Sequence, residues 1–184
     1  MNRRRFIAGS ALASLVLSAS WSHAQTPAPY GDDTHAFDGE TVRGLARALA
    51  EKDFAAADNS LPKPLADISY DDYRAIRFRP DRALWRDAGL PFQVQLFHRG
   101  FIFKDRVEIF EVVDGQATRI AYSPDLFDFG KATLPPADAG LGFAGFRFHA
   151  PINRPDYFDE VAVFLGASYF RAVGKGQNYG LSAR

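Results

Sequence analysis

The stretch Ile109-Phe-Glu-Val-Val-Asp-Gly-Gln-Ala-Thr-Arg-Ile-Ala-Tyr122 decides the fold class. Asp114-Gly115 separates two β-prone runs, Ile109 to Val113 and Ala117 to Tyr122, and glycine accepts the positive φ of a tight hairpin turn. Upstream the same two-residue period continues. Val107 and Ile109 alternate with Arg106, Glu108 and Phe110, and Phe92, Val94, Leu96 and His98 alternate with Gln93, Gln95 and Phe97. Downstream, strands are expected at Phe143 to His149 and Val161 to Leu165; the second is almost entirely apolar, as for a strand covered on both faces within a sandwich. The pattern is all-β.

A single helix is expected ahead of it. Val42, Leu45, Ala46 and Leu49 recur at helical spacing with Arg43, Arg47 and Glu51 off the stripe, and Asp38 stands where a cap belongs. Pro62 and Pro64 prevent its continuation. Ser69-Tyr-Asp-Asp72 has capping-box spacing for one short helical turn, after which Ile76 to Arg79 extends. Residues 25–36 mix Pro, Gly, Asp and Thr without periodicity and read as a flexible lead, with order beginning near Phe37.

Residues 1–24 read as a cleaved export signal. Asn2-Arg-Arg-Arg-Phe-Ile7 is basic, Ile7 to Ala19 is apolar but short of spanning length, and Ser22-His-Ala24 supplies small residues before Gln25. The arginine pair and the weakly apolar Ala/Ser/Gly segment point to the twin-arginine route, with the general secretory route as the alternative. No stable membrane anchor is expected.

Removing that signal takes away three arginines, so the 22 basic and 22 acidic residues become 19 and 22. Basic residues are dispersed, which argues against nucleic acid as a partner. Without cysteine there is neither a disulfide framework nor a thiolate metal site. Stability must come from a core supplied by 17 Phe, seven Tyr and two Trp. The four His residues show no ligand spacing, and Gly174-Lys-Gly176 lacks the spacing and following Ser or Thr of a phosphate loop, so no metal or cofactor is expected.

Several long runs carry a resemblance: Leu61-Pro to Leu65, Tyr70-Asp-Asp-Tyr-Arg-Ala-Ile-Arg-Phe78, Pro80-Asp with Ala83-Leu-Trp85, Phe92-Gln-Val-Gln-Leu-Phe-His98, Gly142-Phe-Ala-Gly-Phe-Arg147, Pro151-Ile-Asn153 and the closing run to Arg184. With them the chain resembles the periplasmic glucan biosynthesis protein family, types G and D, over most of the expected mature sequence; the twin-arginine leader favours type D. The resemblance implies a mutarotase-like β-sandwich over 37–184, incomplete at the C-terminus, with a further immunoglobulin-like domain absent from this chain. It also implies β-1,2-linked periplasmic glucan as partner and endo-β-1,2-glucanase activity in the intact protein. The alternative is a non-catalytic glucan-binding or organising protein that assists the membrane glucan synthase. The family's catalytic acids lie downstream of the matched segment, so none is carried onto this chain, which alone is expected to be inactive and reads as a fragment or a truncated member.

Glucan recognition asks for aromatic faces and planar polar groups. Tyr169, Arg171, Lys175, Gln177 and Tyr179 in the glycine-rich closing run combine both, and Arg147, His149 and Asn153 are placed to line a cleft. Competing readings stand beside these: Tyr169 and Phe170 alternating into a core with Arg171 paired to an acid, and His149 satisfied locally. Asp156, Asp159 and Glu160 are read as a solvated turn after Pro155 rather than as a catalytic cluster, and Asp125 and Asp128 likewise. Trp85 is read as a core anchor before a sugar platform.

Overall fold

The computed structural model describes residues 30–56, 59–132, 139–166 and 168–178. The hairpin is present: β4 (Phe110–Val113) and β5 (Gln116–Ile120) are joined by Asp114 and Gly115 at φ 49° and 74°, both positive as a two-residue primed turn requires. The upstream strand begins later than its alternation suggests, because Val107 makes only an isolated bridge to Phe143. A third strand, β1 (Tyr30–Ala36), pairs antiparallel with β5. Order therefore reaches into the stretch expected to be a flexible lead. Backbone pairing needs no apolar period, and here it is reinforced by the Thr34 and Thr118 hydroxyls at 3.0 Å and by Phe37 N–H on Gly115 O at 2.8 Å.

Helix α1 (Gly39–Ala50) starts where expected: Asp38 Oδ1 accepts from Glu40 N–H and Thr41 N–H, and Thr41 Oγ1 accepts from Asp38 N–H. No residue of α1 is buried. A single turn, α2 (Lys63–Ala66), buries Leu65, and α3 (Tyr70–Ala75) is capped by Ser69 Oγ, which accepts from Asp72 N–H at 3.1 Å. A short pair, β2 (Arg77–Phe78) with β6 (Phe127–Asp128), follows as a separate two-stranded sheet.

The largest sheet runs in the order β3 (Gln93–Phe97), β7 (Gly145–Arg154), β8 (Tyr157–Leu165), β9 (Tyr169–Ala172), all antiparallel. Gly145 sits where β7 and β8 come closest: a Cβ there would lie 2.1 Å from Phe164 O. The fold is thus all-β with α1 as the one helix of more than two turns, near the N-terminus, and the described residues form three antiparallel sheets.

Pleating divides the large sheet into two unlike faces. One presents Val94 and Leu96, then Phe146, Phe164 and Phe170 across successive strands. Val94 and Leu96 join the core with Leu65, Phe78, Phe127 and Phe143, each fully buried side chain contributing about 1.5–3 kcal/mol. Outward along the row exposure rises, to 40% at Phe164 and 51% at Phe170. The expectation that β8 is covered on both faces is therefore corrected, since only Val163 of that strand is buried. Nothing among the described residues covers the outer aromatics. The opposite face is polar.

Candidate functional site: the polar face of the large sheet

Strand register builds this face. Gln93 and Gln95 of β3 stand opposite His149 and Arg147 of β7; a bulge after Phe148 then sets His149 against Glu160 of β8, and Arg171 of β9 stands opposite Val163. The glutamines, expected to alternate with the buried residues of β3, are themselves buried at 9% and 7% exposure.

Arg147 joins the strands. Its Nη2 donates to Gln95 Oε1 at 2.7 Å and its Nη1 to Glu160 Oε2 at 3.1 Å, while the guanidinium lies 5.4 Å from the Phe97 ring centroid. Arg171 Nη2 donates to the other Glu160 oxygen. Glu160 is thus engaged by an arginine on each side, which realises the reading of Arg171 as a partner of an acid and overturns the placement of Glu160 in a solvated turn. The turn is shorter than supposed, spanning only Pro155 and Asp156, so Glu160 already lies within the strand.

His149 is half-buried. Its Nδ1 faces Phe158 O at 3.2 Å, so this nitrogen carries the hydrogen and Nε2 is left as an acceptor with no hydrogen-bond partner among the described residues. Burial, with the positive charge of Arg147 adding to it, holds the imidazole pKa below its ordinary value; the Phe158 carbonyl, Glu160 and Asp159 oppose the shift. Nε2 itself is buried, so the ring stays a neutral acceptor enclosed beside Arg147.

A hollow of about 640 Å³ opens between this face and the β2–β6 pair, lined by Arg77, Asp81, Gln95, Asp128, Phe129 and Arg147 among others. A second, of about 400 Å³, shares Arg77 and Arg147 and is walled by Tyr73, Arg74, Phe97 and His98. Arg79 hydrogen-bonds Asp81 and lowers its pKa; Asp128 Oδ1 accepts Gly130 N–H at 2.9 Å.

The structure brings together Arg147, His149 and Arg171, with Tyr169 partly buried on β9, one strand over. It does not bring Asn153, Lys175 and Gln177 to them by any described contact. Asn153 N–H donates to Asp159 Oδ2 at the far end of the β7–β8 hairpin; Gln177 Oε1 accepts Gly174 N–H and closes its own turn; Lys175 is exposed in that turn. Tyr179 lies outside the described residues. Gln95 and Arg77 were missed, because a polar residue in a strand reads as solvent-facing until its cross-strand neighbours are known, and Glu160 was weighed but set aside as a turn residue. Trp85 packs against the core, 6.3 Å from Phe148, and donates from Nε1 to Glu111.

Donors and acceptors make up most of the face, with the Phe97 ring under Arg147 and Val163 buried between the two arginines. Among the described residues no three His, Asp or Glu side chains gather into a metal site.

The sequence model of a family described as periplasmic glucan biosynthesis protein, MdoG, matches residues 37–184. The glucans biosynthesis protein G of Rhodopseudomonas palustris (strain BisA53) is 58% identical over 184 residues, which is 100% of this chain and 36% of that protein. That of Bradyrhizobium diazoefficiens is 54% identical over 184 residues, with the same shares. That of Vibrio cholerae (strain ATCC 39315) is 54% identical over 154 residues, 82% of this chain and 28% of that protein. The chain spans 36% or less of the length of these curated relatives. All three carry the type G name, which the leaning toward type D does not match.

Proposed function

Because this chain belongs to the periplasmic glucan biosynthesis protein family, we propose that it holds a glucan chain on the Arg147 face of the large sheet, and that in the intact protein this serves hydrolysis of a β-1,2-linked backbone. The observation that carries the binding reading is one arginine linking Gln95 and Glu160, with Arg147 and Gln95 both lining a 640 Å³ hollow. A sugar's hydroxyls both donate and accept, and this face offers both in fixed positions. Among the described residues no helix is long and apolar enough to cross a membrane. The basic leader with its arginine pair supports delivery to the periplasm by the twin-arginine route.

Hydrolysis needs two carboxyl groups flanking the scissile bond. Glu160 is taken up by two arginines, which supports placing the hydrolytic acids elsewhere in the intact protein. The same observation favours a second reading, a non-catalytic glucan organiser that assists the membrane synthase. Incubating the intact protein with linear β-1,2-glucan separates them: released oligosaccharides support hydrolysis, binding without release supports the organiser, and no binding contradicts both.

A further inference from the structure

Beside the hollow lies an aromatic cluster that the proposed site does not use. Gly100 and Phe103 exchange backbone hydrogen bonds of 3.0 and 2.9 Å, forming a tight turn that holds Phe101 at φ 54°, a conformation uncommon outside glycine. This turn sets Phe101 5.6 Å from the ring of Tyr70 and 6.2 Å from that of Tyr73, and Phe103 5.5 Å from Tyr73. Tyr73 Oη donates to His98 O at 3.0 Å, so the cluster is anchored to the end of β3. Outside it, Tyr70 remains 55% exposed and Ile102 70%. The Arg74 guanidinium sits 5.4 Å from the Tyr70 ring centroid.

Arg74 and Tyr73 also wall the 400 Å³ hollow that reaches Arg147. Tyr70 and Arg74 lie four residues apart on α3, so their side chains meet on one face. A half-exposed phenol with a guanidinium over one part of its ring, that guanidinium also lining the hollow, combines the apolar ring and planar N–H donors that pyranose faces and hydroxyls engage. We propose that Tyr70, with Arg74 and Phe101, is a stacking platform for the part of a glucan chain that runs out of the cleft past Tyr73. It makes the site an extended one that prefers long chains. The inference rests on the glucan reading of the Arg147 face.

The test measures the affinity of the intact protein for a short linear β-1,2-glucooligosaccharide and for the long polymer, in wild type, Tyr70→Ala and Tyr70→Trp. Tyr70→Ala weakens binding of the polymer by about three- to tenfold and leaves the short ligand unchanged. Tyr70→Trp retains polymer affinity, which separates a platform from a merely structural tyrosine. Equal affinities of wild type and Tyr70→Ala for the polymer overturn the platform while leaving the Arg147 face standing. Failure of the wild type to bind either ligand overturns the glucan reading itself, and this inference with it.

Discussion

Arg147 donates to Gln95 Oε1 at 2.7 Å across the β3–β7 pair, and the same guanidinium holds Glu160 on the next strand. Arg147→Gln removes the charge that Glu160 faces and lengthens the reach to Gln95. Losing a charge-assisted hydrogen bond in this partly buried setting costs about 1.5–3 kcal/mol, read as a lowered denaturation midpoint together with weaker glucan binding. Arg147→Lys recovers little of either, because one ammonium cannot fork between two acceptors on opposite sides. Full recovery by lysine would contradict a bridging role.

Two glycines make contrasting predictions. Gly145→Ala drives a Cβ to 2.1 Å from Phe164 O and 2.9 Å from Leu165 Cα, forcing apart the strands that carry Arg147 and Glu160. It destabilises by on the order of 3 kcal/mol or more and weakens binding. At Gly115, φ 74°, the nearest atom to an added Cβ is Phe37 O at 3.8 Å, so Gly115→Ala suffers only backbone strain, about 1 kcal/mol, and binding stays intact. Chemical denaturation of both variants checks the ranking.

His98 predicts an acid limb in stability. It is buried among Tyr122, Phe127 and Phe129, with Nδ1 on Arg99 O and Nε2 on Tyr122 Oη, and burial lowers its pKa to about 4. The unfolded imidazole takes up a proton near its ordinary 6.5, so between pH 6.5 and 4 the unfolded state binds more protons and stability falls as pH falls. Across that window the loss is on the order of 3 kcal/mol, with no further contribution from His98 below it. His98→Gln shallows this limb; an unchanged pH profile of unfolding would contradict it.

How much of this was legible in the sequence depends on range. The Asp114-Gly115 turn, the Asp38 cap and the Ser69 cap are signalled by residues within four positions of one another, and each forms as read. Glu160 and Gln95 were opaque because their neighbours lie 13 and 52 residues away from Arg147's side of each contact. Only register tells that they share a face. A bulge after Phe148, invisible in the pattern of residues, sets His149 against Glu160. Phe164 was read as covered from the apolarity of its strand, and Phe170 as core in one of two readings, yet apolarity alone does not say which part of a chain supplies the cover.

That row carries its own prediction. Residues 25–184 produced alone leave Phe164 and Phe170 uncovered beside the edge strand β9, and the α1 stripe of Val42, Leu45 and Leu49 at 54–69% exposure. Such surfaces associate. Sedimentation velocity is expected to show concentration-dependent self-association, reduced in a Phe164→Thr, Phe170→Thr variant; a monodisperse monomer at all concentrations would contradict it.

A crystal structure of the intact protein with linear β-1,2-glucan shows whether glucan lies on the Arg147 face. Sugar hydroxyls are expected within hydrogen-bond distance of Arg147 and Gln95, with the chain passing through the hollow bounded by Arg77. A chain bound wholly elsewhere, leaving Arg147, Gln95 and the hollow without sugar, would contradict that placement.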